Sequence, residues 1–450
     1  MGGRPVKPST GTASVSRIAW WLFAGLLVIY NANGREISSY DSQPTKFAAV
    51  ELVLAGTVTL DRWVQAAPDL GQRAAFQRDR QGHFRSAYSV VPSIEAAAIA
   101  WVLRVTRLVD LRGPLAPAVV AVVTASLLTA GAVTLVFLSL ARTSTKSVAL
   151  LVAIGLGLGT NLWPLASRTL WQLETVSAGL ALALYGWFRP RDDLRGWPVA
   201  IGAAGLALAG SARPQIAPIV AVLLVGLATR IGPRRAAPAF GIVLLAAASL
   251  MLYQWIWFGD VLGATSALQA QNLKGHGVTT TISSTPWIGA IGLLVSPNRG
   301  LVVFSPIVLL AIGAMPAIWR RPGPNGERWW TAAAVAQFAS YACYSMWWGG
   351  HTYGPRYLVD LLIPLTPAAA VGVTWAIRRR WGRLFAALAL AVSVVVAATG
   401  AFYYPNDRWN NDPDVDLNHE RLWDWRDLQI VRCWREGPSP QNYALFIRVE

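Results

Sequence analysis

The stretch WWGGHTYGPRYLVD, Trp347 to Asp360, sets a histidine, a tyrosine, an arginine and an aspartate between two apolar runs. Charged groups beside hydrocarbon are expensive, and they persist where they bind or react. Four further segments carry polar groups of the same kind. NGREISSYDSQPTKFAAVE supplies Arg35, Glu36, Asp41, Lys46 and Glu51, and GTNLWPLASRTLWQLETV supplies Asn161, Arg168, Gln172 and Glu174. GSARPQ places Arg213 before a proline, and the region 257–300 holds His276 and closes on SPNRG with Arg299. Guanidinium groups match phosphate oxygens through paired hydrogen bonds. A carboxylate at the same surface can take a proton from a hydroxyl. The set suits a ligand with a phosphate at a membrane interface and a hydroxyl-bearing partner outside it.

Each element also has an ordinary reading. Arg356 and Asp360 stand four apart and can form a helix-surface ion pair. Arg213 can snorkel to an interface, and Glu174 can pair with Arg168 inside a bundle. Asp41 can cap a helix that starts near Pro44. His276 reads as an ordinary loop residue, and the glycines of GLGLG (155–159) as helix-packing contacts rather than a phosphate cradle. The 22 tryptophans fit interfacial belts.

These residues need elements to hold them. Of 450 residues, 54% are hydrophobic and 14% charged, and the apolar ones come in long blocks. That is not a soluble composition. A spanning helix takes ~20 mostly apolar residues. Blocks near 15–33, 114–140, 147–166, 170–188, 197–212, 214–229, 236–256, 301–318, 329–347, 357–377 and 384–403 predict an all-α, polytopic membrane protein with about 11 transmembrane helices.

The stretch 86–103 is a twelfth candidate, and it sets the parity of everything after it. Lys and Arg favour the cytoplasmic side of short loops. With 86–103 lying at the interface, the loops 141–146, 189–196, 230–235, 319–328 and 378–383 hold 15 Lys and Arg, against 5 in the short loops opposite. A crossing at 86–103 would invert that bias. The expected protein is a multi-pass resident of the cytoplasmic (inner) membrane with its N-terminus inside. A large first outer loop, 34–113, carries interfacial helices, and a short acidic tail, 404–450, also lies outside. Ten Lys and Arg in 34–113 run against the rule, which is weak for loops of that length. The first apolar run, Ile18 to Tyr30, is expected as a retained anchor, since no convincing small-residue cleavage site follows it. The net charge of +16 collects at the ends of apolar blocks, as orientation signals do, which argues against nucleic acid. Cys343 and Cys433 alone build neither a disulfide framework nor a CxxC zinc cluster. Neither a metal site nor a cofactor is expected.

On that topology the chemistry-bearing residues of five connections face one compartment, while the inner loops hold plain arginine anchors. A lipid-linked phosphosugar fits such a face: a tail between helices, a phosphate at the interface and a sugar beyond it. The pattern resembles the GT-C superfamily of membrane glycosyltransferases, relatives of protein O-mannosyltransferases and of bacterial lipid A aminoarabinose transferases. REISSYDSQPTKF, LWPLASRTLWQ, SARPQ, SPNRGLVVFSP and WWGGHTYGPRYLVDLLIPL carry the resemblance, over about the first 400 residues.

The resemblance implies a GT-C-like catalytic domain over 1–403 that moves a sugar from a polyprenyl monophosphate to an external glycan, lipid or protein acceptor, in an inverting manner. It implies Asp41 as the base, with Arg213 and Arg356 holding the donor phosphate and Arg168 and Arg299 beside them. His351, Tyr353, Gln172 and Glu174 are expected to contact sugar or acceptor. Two departures stand out: Asp41 lacks a second acidic neighbour, and Leu173 and Glu174 follow Gln172 where bacterial relatives often carry a histidine. The rival reading is a lipid-linked glycan transporter without transferase activity, which would need mid-membrane polar groups and internal repeats. The second rival is a structural or assembly protein. Turnover of a polyprenyl-phosphate sugar separates the enzyme from both.

Overall fold

The computed structural model describes residues 12–275, 278, 280–321 and 325–446. His276 lies outside them. The chain is 68% helix and 2% strand. Among the described residues six helices are long and apolar enough to cross a membrane: Ser14–Asn31, Ala116–Leu140, Pro214–Ile231, Pro233–Phe258, Arg356–Ala376 and Arg380–Phe402. Lys146–Leu158, Trp197–Ala212, Pro286–Val295 and Pro306–Arg320 are apolar but shorter. The difference from eleven has a physical origin, because a helix rises 1.5 Å per residue. The helix Leu173–Trp187, with 15 residues, reaches roughly 22 Å, so a crossing of a ~30 Å hydrocarbon core there needs its flanking turns or local thinning of the bilayer. The block 147–166 likewise breaks at Gly159 into the helix Lys146–Leu158 and a single π turn, Leu162–Ala166.

The bundle core is built on close approach of small residues. A Cβ on Gly179 would stand 2.5 Å from the Gly205 carbonyl, so the helices Leu173–Trp187 and Trp197–Ala212 pack nearly backbone to backbone. Tyr30 donates to the Gly157 carbonyl at 3.0 Å, which fastens the first helix to the glycine-rich one. The outward faces are apolar: Leu244, Leu245 and Leu252 on Pro233–Phe258, and Leu388, Val392 and Val395 on Arg380–Phe402, are exposed. Such surface is a liability in water and suits a bilayer.

The region 34–113 is not wholly helical. The helix Gln43–Ala55 packs on Val91–Val105, and between them Phe76–Arg78 pairs antiparallel with Phe84–Ser86. The hairpin turn is organised by Asp79, whose carboxylate accepts from the amides of Gln81 and His83 and from Arg85 Nε at 2.6 Å. The tail folds back on the bundle through a 3-10 turn, His419–Trp423, and the helix Gln429–Glu436. Trp409, Leu422 and Cys433 join the same core cluster as the bundle helices. Both cysteines are free thiols.

Candidate functional site

Three distant segments meet at one end of the bundle, and each arrives there for a local reason. Pro214 disfavours the α conformation for the residue before it. Arg213 accordingly has φ −144° and ψ 93°, the helix Trp197–Ala212 stops, and the arginine leaves its axis. Gly349, Gly350 and Gly354 have φ of +79°, +70° and +62°, a region costly for residues with a Cβ. They turn the chain between Gly326–Ala342 and Val359–Ala376 and deliver Arg356 and Tyr357. Asp41 lies in the turn before Gln43–Ala55, where Ser42 Oγ donates to the Ser39 carbonyl at 3.0 Å. Glu36 accepts from Lys46 Nζ and from Thr169 Oγ1, both at 2.6 Å, tying that turn to the loop of Arg168.

These segments line two adjoining lobes of one cavity. The larger, about 350 Å³, is walled by Arg213, Gln215, Gln269, Tyr341, Tyr344 and Tyr357. The smaller, about 110 Å³, adds Asp41, Tyr88, Trp171, Gln172 and Arg356. Arg356 Nη1 stands 3.2 Å from Asp41 Oδ2, and its guanidinium lies 4.8 Å from the Trp171 ring and 5.5 Å from that of Tyr357. Arg213 sits on Tyr357 as well, at 5.6 Å, and pairs with Asp360 Oδ2 at 3.5 Å. Tyr341 donates to the same Asp360 oxygen and stacks on Tyr357 at 5.1 Å. Burial of the Tyr88 hydroxyl, and then the Asp41 carboxylate beside it, push that hydroxyl above its ordinary range. Tyr88 therefore stands as a hydrogen-bond donor at the cavity wall.

Several ordinary readings of the sequence give way here. Arg356 and Asp360 do not pair with each other, because the turn Arg356–Leu358 aims them at Asp41 and Arg213 respectively. Asp41 does not cap: Ser42 is the N-cap of Gln43–Ala55, and its helix start has no side-chain cap. Arg213 is buried against Asp360 rather than reaching outward. Glu174 does not meet Arg168; it is fully buried, and its Oε1 accepts the Gln172 amide at 3.1 Å. That bond holds Gln172 at φ +71°.

Of the residues singled out by sequence, Asp41, Arg213, Arg356 and Gln172 line the cavity, while Arg168, Arg299, His351, Tyr353 and Glu174 do not. Arg168 is fully buried and donates to the carbonyls of Tyr30 and Arg35. Arg299, also fully buried, donates to the Trp348 carbonyl at 3.0 Å, to Gly350 at 3.1 Å and to Asn410 Oδ1 at 2.7 Å. It locks the glycine turn to the tail. Tyr353 is enclosed with its hydroxyl on the Val396 carbonyl at 2.7 Å. His351 turns to the tail and pairs with Asp414 at 3.0 Å and Asp416 at 3.3 Å. Those three residues bring ligand atoms within 4.8 Å of one another, the one grouping among the described residues able to surround a metal ion.

Sequence reasoning missed the aromatic wall: Tyr88, Trp171, Tyr341, Tyr344 and Tyr357. The signal available was spacing. Tyr341 and Tyr344 are three apart at a helix end, and Tyr357 follows Arg356. Comparison with known protein families and with curated proteins finds no match to this chain.

Proposed function

We propose that this chain is a membrane glycosyltransferase of the GT-C kind, moving a sugar from a polyprenyl-monophosphate carrier to an acceptor on the extracytoplasmic face. One observation carries the reading. A half-exposed carboxylate, Asp41, and two arginines, Arg213 and Arg356, come from three remote segments to one cavity walled by tyrosines and a tryptophan. Aromatic faces suit sugar rings, guanidinium groups suit phosphate, and the carboxylate supplies the base. In the proposed reaction the acceptor hydroxyl oxygen bonds to the anomeric carbon of the sugar. The bond from that carbon to the phosphate oxygen breaks, its electron pair leaves with polyprenyl phosphate, and the hydroxyl proton passes to Asp41. Arg356 holds Asp41 in the resting cavity, and an arriving phosphate competes for that guanidinium and frees the carboxylate. Glu36 and Glu51 are weaker candidates for the base, because Lys46 and Arg62 engage them at 2.6 Å and 3.1 Å.

The reading includes about 11 spans, the N-terminus inside, 86–103 not crossing and the tail outside, in the inner membrane. Helix Val91–Val105 carries Glu95 and Arg104 in 15 residues, which suits an interfacial position. Cysteine labelling at positions 193 and 425 tests this: 193 should react only from inside and 425 only from outside. Incubation of the purified protein with radiolabelled polyprenyl-phosphate sugar tests the activity. Release of polyprenyl phosphate with label on an acceptor supports the proposal; carrier movement across the bilayer with the sugar bond intact supports the transporter instead.

A further inference from the structure

A second, apolar recess lies apart from the tyrosine-walled cavity. It is a groove of about 250 Å³ between Lys146–Leu158, Leu309–Arg320, Val359–Ala376 and Arg380–Phe402. Along one wall it runs from Leu362 to Ile377, roughly 22 Å at a helical rise of 1.5 Å per residue. That exceeds one leaflet of a ~30 Å hydrocarbon core. Its lining is aliphatic apart from Thr366, with Thr160 near one end and Arg383 at the other. Leu362 is two residues from Asp360, so it points away from the helix face that carries Asp360 and meets Arg213. The groove and the cavity thus occupy opposite sides of one helix.

The arginine end is the informative one. Ile377 and Arg383 border the groove, and the turn between their helices reads RRRWGR, with Arg378, Arg379, Arg380 and Arg383 inside six residues. Among the described residues none of these four guanidinium groups has a hydrogen bond or an ion pair; Arg380 rests on the Trp381 ring at 5.0 Å. One unneutralised cation on the groove, Arg383, with three more within five residues of it in the chain, matches an anionic headgroup joined to an acyl chain. A second copy of this chain would bring the same four arginines to the contact, which opposes self-association there.

We propose that this groove is a binding site for one anionic phospholipid, its acyl chain between the helices and its phosphate on Arg383 and the neighbouring arginines. The site stands apart from the transferase reading, and neither depends on the other.

The test is native mass spectrometry of the full-length protein, delipidated in detergent and supplied with equal phosphatidylglycerol and phosphatidylcholine. One bound phosphatidylglycerol, retained at least tenfold over phosphatidylcholine, is expected. A basic side chain near a membrane surface is worth about fivefold in binding. Arg383→Gln should weaken retention by about that factor, and joint replacement of all four arginines by glutamine by more than twentyfold. Ala387 lines the groove and is exposed. Ala387→Phe should fill the recess and abolish retention while thermal stability is kept. Equal retention of the two lipids, or retention unchanged in both Ala387→Phe and the fourfold variant, overturns the proposal. Displacement of the lipid by polyprenyl phosphate at equal concentration also overturns it, since the groove would then be the carrier's.

Discussion

Asp41→Asn is the sharpest perturbation available, because it separates what the carboxylate does from where it sits. Asn keeps the shape and one oxygen that can accept from Arg356, 3.2 Å away in the wild type. The Asp41 side chain is 41% exposed and Arg356 16%. An ion pair that wet is worth about 0–1 kcal/mol, and the amide recovers part of it. No capping bond is lost, since Asp41 does not cap the helix Gln43–Ala55. The melting temperature should therefore move by less than about 2 °C. Donor affinity should rise slightly, because the phosphate no longer competes with a carboxylate for Arg356. Turnover should fall ~100-fold or more, the usual contribution of a positioned base, which is about 2.7 kcal/mol of barrier. The assay is single-turnover transfer from a radiolabelled polyprenyl-phosphate sugar, beside direct donor binding and a thermal melt on the same preparation. Full turnover in Asp41→Asn refutes the base assignment and moves it to Glu36 or Glu51. Turnover lost only in proportion to donor binding refutes it as well, and leaves Asp41 a binding residue.

Arg356→Lys keeps the charge and loses the planar fork, so donor binding should weaken by about tenfold with the fold intact; isothermal titration with the carrier phosphate measures it, and unchanged affinity removes Arg356 from the phosphate site. Asp360→Ala should be severely destabilising, by about 3–5 kcal/mol, because it leaves the buried Arg213 without its partner; a melt within 2 °C of wild type would show that the pair is dispensable. Asp407 offers a pH test in the tail. Burial pushes its carboxyl up to about 6, above the unfolded value near 4. A folded value raised in this way gives stability that is complete below about pH 4 and is lost as the pH rises through 6. Asp407→Asn should match wild type below pH 4 and exceed it by up to about 3 kcal/mol above pH 6. A difference that does not change with pH, measured by parallel melts across that range, would show that the burial of this carboxylate is not what governs its effect.

What could be read from the sequence followed from strong, short-range causes. Apolar blocks locate helices because an unpaired backbone in hydrocarbon is intolerable. A glycine pair and a pre-proline arginine mark the turns at 349 and 213, since few residues but glycine take a positive φ and a proline pushes the residue before it out of the helix. Asp41, Arg213, Arg356 and Gln172 were legible as polar groups out of place, and they share a cavity. The hairpin at Phe76–Arg78 was not legible, because three-residue strands carry too little alternation to stand out from a loop. Neither was the exchange of partners at Arg356 and Asp360. Spacing of four permits a pair on a helix, but the first turn at this terminus is a 3-10 turn with a different angular step.

The arginines that sequence could not tell apart differ in how their donors are used. Arg168 and Arg299 lie at the same bundle end as Arg213 and Arg356 in the topological reading. Yet carbonyl and amide oxygens of the protein itself surround them. A guanidinium has five donors, and one whose donors are spent on backbone carbonyls fixes loops and has little left for a ligand. Among the described residues no backbone carbonyl accepts from the Arg356 guanidinium, which shares one nitrogen with a carboxylate that is itself half in water. Two rings lie against it, Trp171 at 4.8 Å and Tyr357 at 5.5 Å. Aromatic neighbours attract a cation without occupying its hydrogen-bond donors. An arginine kept in place by rings rather than by carbonyls is thus positioned and still able to bind. Trp171, whose indole N–H has no hydrogen-bond partner, is therefore part of what makes Arg356 available, and replacing it with leucine should lower donor affinity without touching a hydrogen bond.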